Sequence, residues 1–342
     1  MQETRSHRPN TCNVQGRRAA LRVIGAASLA PMVGANLAHA QSLPDTVRIV
    51  AGVPAGNPVE APARALAEAL NATSGRTYII DNRTGAGGMR AAREVAIAKP
   101  DGSHLLWVNA SHTISPLVYK RMPYDPIADF TPVTKLMTAS GFSLLVRANS
   151  PYRTVAQLIK AAQDQPGRVT YASLGLGNAL HLLTEAFGHA IKAKFLHVPY
   201  SASPIPDLLG GHVEFMFLGN SIAVQMIESR QVRVLAVTSD QRFSVAPDAP
   251  TFAEMGIKDV NVPAWGGFIG PRGMAPELAL RFQQEIGQAV KHKIFLDYVK
   301  SSGDMAVVVD TPPVFGAYLK SEIDRLRKLF APLGIALDSG FS

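Results

Sequence analysis

The chain has 342 residues, 47% hydrophobic and 18% charged, a balance that suits a folded protein with room for two domains and excludes an intrinsically disordered one. Its net charge is +8, of which Arg5, Arg8, Arg17, Arg18 and Arg22 against Glu3 place +4 in the first forty residues. The remaining lysines and arginines are scattered rather than gathered in a basic stripe, so no nucleic-acid partner is expected.

Arg17-Arg18 precede an apolar run from Val23 to Leu37, and Ala38-His39-Ala40 supplies the small residues a signal peptidase needs. The run is short and rich in Gly, Ala and Ser, which argues against a membrane span. Residues 1–40 are read as a signal peptide cleaved after Ala40, which would deliver the mature chain to the periplasm. The paired arginines with Leu21 and Arg22 loosely resemble a twin-arginine signal, but Gly16 and Ala20 depart from it, so both export routes stay open. The one cysteine, Cys12, lies before the apolar run. A mature chain without a thiol excludes disulfides, thiolate catalysis and cysteine–metal sites.

In chain order, Val47 to Ala51 reads as a strand, Pro54 to Pro58 as a turn, and Glu60 to Leu70 as a helix with Pro62 in its first turn. Tyr78 to Ile80 is a second strand. It is followed by Gly85-Ala86-Gly87-Gly88 and a helical stretch, Met89 to Ala96. Glycines between a strand and a helix let the backbone approach a ligand while free N–H groups point outward, which makes a small anion site. Leu105 to Asn109 is a third strand, with Ser111 to Pro116 read as the loop after it. Three such units predict a parallel sheet with its ligand beyond the carboxyl ends of the strands.

The pattern repeats further on. Phe142 to Val146 and Val169 to Ser173 read as strands, Leu174 to Gly177 as a flexible turn, and Asn178 as the N-cap of a helix over 179–190. Phe195 to Tyr200, Glu214 to Leu218 and Val232 to Thr238 are further strands. The tail predicts helices at Pro276 to Val290, Ile294 to Ser301 and Pro312 to Leu329, with short strand pieces at Phe268-Ile269 and Ala306 to Val309. It is expected to return and complete the first module. The domains are placed at 41–141 with 240–342, and at 142–239, with a ligand cleft between them.

Read together, these loops resemble the tripartite tricarboxylate transporter substrate-binding receptors of the Bug type. The resemblance is carried by Asp81 to Gly88, Lys99-Pro100-Asp101-Gly102, Tyr124-Asp125-Pro126, Phe130-Thr131-Pro132-Val133, Tyr171-Ala172-Ser173 with His181-Leu182, and His197-Val198-Pro199-Tyr200. Asp207 to Gly211, Leu235 to Ser239 and Ala249-Pro250-Thr251 complete it. It implies an α/β, two-domain periplasmic binding protein-like fold of type II. The implied function is a receptor that captures a small organic acid or amino-acid-like ligand for a membrane permease. The family's first loop usually reads Pro-Pro-Gly-Gly-Gly-Thr-Asp, whereas here Gly56-Asn57-Pro58-Val59-Glu60 follows Pro54-Ala55, and Leu218 falls where an aspartate is common.

The expected ligand set is Gly56, Asn57, Glu60, Gly85, Ala86, Gly87, Gly88, Ser111, His112, Ser173, Gly175, Gly177, Asn178, His181 and Leu218. Catalysis is not expected: no Gly-x-Ser-x-Gly elbow is present, and nothing in the spacing of Ser173, His181 and Asp207 requires them to meet. His181, His189, His197 and His212 lack metal-ligand spacing, and Gly85 to Gly88 lacks the dinucleotide G-x-G-x-x-G order, so neither metal nor cofactor is expected. A periplasmic sensor subunit for a kinase is the competing class, and an exported hydrolase stands behind both.

Overall fold

The first part of the chain builds strand–helix units. β1 (Thr46–Ala51) leads through a turn at Pro58–Glu60 to α1 (Ala61–Thr73), and β2 (Thr77–Asn82) leads through Ala86–Gly88 to α2 (Met89–Ala96). β3 (His104–Asn109) runs directly into α3 (Ala110–Val118). The structure, a computed structural model, describes residues 43–337 except 140, 259, 261, 263, 303 and 304; the signal peptide and Cys12 lie outside the described residues.

Ser111 to Pro116 is therefore a helix and not the loop that its Ser, Thr and Pro content predicts. The Asn109 side chain accepts the Ser111 N–H at 2.9 Å and caps the helix. Thr113 and Ser115 donate their hydroxyls to Ala110 and Ser111 carbonyls within it. Pro116 falls near the end, where one lost N–H precedes only two more helical residues.

β4 (Phe130–Ala139) and β5 (Phe142–Arg147) follow, then α4 (Val155–Asp164), β6 (Thr170–Ser173), α5 (Ala179–Ala190), β7 (Leu196–Pro199) and α6 (Ile205–Gly210). β8 (Phe215–Gly219), α7 (Asn220–Glu228) and β9 (Val232–Val237) close this part. The tail contributes β10 (Ala264–Pro271), α8 (Pro276–Ala289), α9 (Lys293–Ser301), β11 (Ala306–Val307) and α10 (Pro312–Phe330).

These strands form two sheets of one pattern. The first runs β11-β4-β10-β3-β1-β2, and the second runs β7-β6-β8-β5-β9. In the first, β1 pairs in parallel with β2 and β3 while β10 is antiparallel to β3 and β4. In the second, β6 is parallel to β7 and β8 while β5 is antiparallel to β8 and β9. The sheets are thus mixed, not parallel throughout. β5 and β10 are each the first strand laid down after the chain passes from one sheet to the other. Such a strand enters at the edge where the parallel strands end, so it runs the opposite way.

One apolar core spans both sheets, joining Leu106 and Val108 of β3 to Leu144 of β5, Phe187 of α5 and Phe315 and Leu326 of α10. A second packs α1 and α8 against the other face of the first sheet, with Val47, Leu66, Trp107 and Phe282. A third, with Leu145, Leu208, Met216 and Leu218, lies beneath α6 and α7.

β10 is central in its sheet, although the sequence suggested only Phe268-Ile269. A Cβ on Gly267 would stand 2.6 Å from the Thr134 carbonyl oxygen and 2.8 Å from Phe315 Cζ. The glycine is thus a packing requirement that masks the strand. Gly267→Ala should destabilise the protein by about 1–3 kcal/mol through overpacking. This would be read as a lower denaturation midpoint with an unchanged slope.

Candidate functional site

The carboxyl ends of β1, β3, β6 and β8 open on one cavity of about 660 Å³, bordered by the starts of α2, α3, α5 and α7. This volume lies within the range of small-molecule sites. On the first sheet, Gly52 and Gly88 touch backbone to backbone: a Cβ on Gly52 would stand 2.7 Å from Gly88 Cα. Gly87 and Gly88 hold φ of +63° and +94°, conformations that glycine adopts cheaply. The turn therefore lies flat against the end of β1, and α2 begins at the cavity. On the second sheet the Asn178 side chain accepts the Leu180 N–H at 2.9 Å, capping α5 as its sequence predicts.

The expected residues divide. Asn57, Gly85, Ala86, Gly87, Gly88, Ser111, His112, Gly175, Asn178 and Leu218 line the cavity. Gly56, Glu60, Ser173, Gly177 and His181 do not. Glu60 is fully buried and engaged: Oε1 accepts from Arg64 at 2.6 Å and from the Gly56 N–H at 3.0 Å, and Oε2 accepts from Asn82 at 2.5 Å. It braces the first loop. Ser173 Oγ lies 2.6 Å from His197 Nε2 and accepts the Gly175 N–H, while His181 Nδ1 accepts the Gly177 N–H at 3.1 Å and its ring stacks on His197. These three side chains hold the 174–178 turn from beneath.

Among the described residues, those lining the cavity include no Lys, Arg, Asp or Glu. His112 is buried beside Tyr124 and Phe130, and burial pushes its pKa down to about 4. Its Nε2 lies 2.9 Å from the Pro126 carbonyl, which can only accept, so Nε2 carries the proton and Nδ1 is an acceptor. Burial likewise lowers His181 to about 4, and burial with the His181 neighbour lowers His197 to about 4. The described residues bring together no group of His, Cys, Asp or Glu able to hold a metal ion.

Sequence reading missed Gly52, Trp107, Ser115, Tyr124, Met137, Phe142, Ser201, Ser221, Ile222, Trp265 and Tyr298 as lining residues. Gly52 stands directly after β1, a placement that signals a close approach. Tyr124 belongs to the Tyr124-Asp125-Pro126 motif and Ser115 to the 111–116 stretch, whereas the others converge from separate elements and carry no local motif. Tyr119 was also missed: its hydroxyl donates to the Leu176 carbonyl at 2.9 Å, tying the end of α3 to the 174–178 turn of the other sheet.

The family model for the tripartite tricarboxylate transporter family receptor, TctC, matches residues 62–334. The chain belongs to this family. A relative in Pseudomonas sp. strain P51, named a UPF0065 protein in the tcbD-tcbE intergenic region, is 33% identical over 81% of this chain and 82% of its own. The solved periplasmic binding protein BugD has a TM-score of 0.79 and 28% identity, covering 85% of this chain and 99% of its own. The R. palustris protein Rpa4515, solved with adipate, has a TM-score of 0.79 and 28% identity over 85% of this chain and 98% of its own. This TctC-type chain thus has the α/β two-sheet architecture of the periplasmic binding proteins and is a solute-binding receptor of that type.

The three depressed histidines set a pH dependence. The unfolded chain takes up their protons near pH 6.5 and the folded chain only near pH 4. Their contribution to stability is complete above about 6.5 and is lost as the pH falls toward 4. Thermal denaturation across that window should show a falling midpoint, with a shallower fall in His112→Gln.

Proposed function

We propose that this receptor captures a small carboxylate in the cavity and hands it to a membrane permease from the periplasm. The observation that carries the reading is the convergence of several helix starts on a cavity to which the described residues bring no charged side chain. Helix starts present N–H groups and partial positive charge, so they favour an anion while no fixed cation traps it. The carboxylate is assigned to the turn at Gly85 to Gly87 and the Ser111 hydroxyl on one side and to the Asn178 side-chain amide on the other; the Gly88, Ser111 and Gly175 N–H groups are taken by the Gly85 carbonyl, Asn109 Oδ1 and Ser173 Oγ. The adipate complex of Rpa4515 supports an acid as the ligand class. The family description supports delivery to a tripartite transporter. The two sheets with their helices, 41–141 with 240–342 and 142–239, act as the closing domains. Binding rather than hydrolysis is supported by Ser173: its histidine partner is at hand, but its hydroxyl is buried outside the cavity.

Ser111→Asp tests the reading. A carboxylate in the first turn of α3 is favourable for the helix, so the fold should persist. A like charge beside the bound acid should weaken binding on the order of a hundredfold or more. Calorimetric titration with adipate and benzoate, beside melting curves, measures both. Unchanged affinity for whichever acid binds the native protein would place the ligand elsewhere.

Tyr119→Phe probes closure. Loss of the hydroxyl removes one hydrogen bond between the two sides, about 1 kcal/mol or roughly fivefold in affinity. The same titration should show this without a comparable loss in melting temperature.

A further inference from the structure

The two ends of the cavity differ in the donors they offer an anion, and that asymmetry selects among acids. The starts of α2, α3 and α5 border the polar end, where Gly85 to Gly88, Ser111 and Asn178 lie; Asn178 Nδ2 is 3.5 Å from Ser111 Oγ. The opposite end lies between α1 and α7. Trp107 and Met137 line it from the core beneath α1, and Leu218 and Ile222 line it from the core beneath α7.

The loop before α1 offers that end little. The N–H groups of Gly56, Asn57, Val59 and Glu60 are committed to Glu60 Oε1, the Pro54 carbonyl, Asn57 Oδ1 and the Asn57 carbonyl, and Pro58 and Pro62 have none. On the α7 side, Ile222 Cδ1 lies 3.6 Å from where a Cβ on Gly219 would stand, so the side chain folds back over the helix start. Asn57, Ser221, Tyr200 and Tyr298 bring polar atoms to that end, and none is a carboxylate, lysine or arginine. Trp265, another lining residue, keeps a buried indole N–H without a partner among the described residues, which suits a neutral acceptor on a ligand.

We propose that the preferred ligand is a monocarboxylate with a bulky apolar or aromatic body, seated with its carboxylate at the α2–α3–α5 end and its body between Trp107, Met137, Leu218 and Ile222. This rests on the carboxylate reading above. A second carboxylate at the α1–α7 end would lose its water without gaining a charge partner, a costly exchange. An apolar body there gains by leaving water.

Both tryptophans of the chain, Trp107 and Trp265, line the cavity, so intrinsic fluorescence reports its occupancy. The experiment titrates the protein, freed of carried-over ligand by unfolding and refolding, with benzoate, phenylacetate and adipate at pH 7.5. Benzoate or phenylacetate should bind at least tenfold more tightly than adipate. Equal or tighter binding of adipate would overturn this proposal and leave the carboxylate reading standing. No response to any of the three acids would overturn both. In Ile222→Ser, which uncovers the start of α7, the ratio should narrow at least threefold in favour of adipate. An unchanged ratio in a variant with a native melting curve would overturn the role given to that wall.

Discussion

The backbone contact between Gly52 and Gly88 is the constraint on which the site depends. It holds the end of β1 against the turn before α2, close enough that a single methyl group would not fit. The turn is pressed down, and the starts of α2 and α3 both border the cavity. The same geometry repeats on the second sheet, where Ser173, His197 and His181 brace the turn that starts α5. Two mixed sheets of one pattern thus turn their strand ends and helix starts toward a shared cavity.

An anion site built from neutral donors has a physical advantage for a carrier. A buried ion pair would hold its ligand through a strong interaction in low dielectric, and release would leave an uncompensated charge. Neutral donors would instead supply several weaker interactions that water can replace on release. The charged groups nearest the first loop fit this division of labour. Glu60 and Arg64 neutralise each other and set the loop's shape, leaving the cavity wall uncharged.

Much of the fold was legible. The helices over 89–96 and 179–190 and the Asn178 cap follow from local composition and capping chemistry. The misses have specific causes. β4 was not read as a strand because Pro132 interrupts it; the structure absorbs the missing N–H at a register shift between β4 and β10. β10 was hidden by Gly266, Gly267 and Gly270, whose missing side chains make room for Trp107, Phe315 and Met274. α3 was hidden by its hydroxyl residues and Pro116. At the site, the glycine turn was visible as a local motif, whereas the roles of Glu60 and His181 were set by partners such as Asn82 and His197. The apolar wall assembles from strands and helices far apart in sequence, which no single stretch displays.

The central claim is that a carboxylate occupies a cavity lined by helix starts and no charged side chain. The most direct test is mass spectrometry of the small molecule released by denaturing protein purified natively from its periplasm. The expected result is a carboxylic acid that rebinds the refolded protein. Recovery of an amine cation or an uncharged sugar that rebinds in its place would contradict the account.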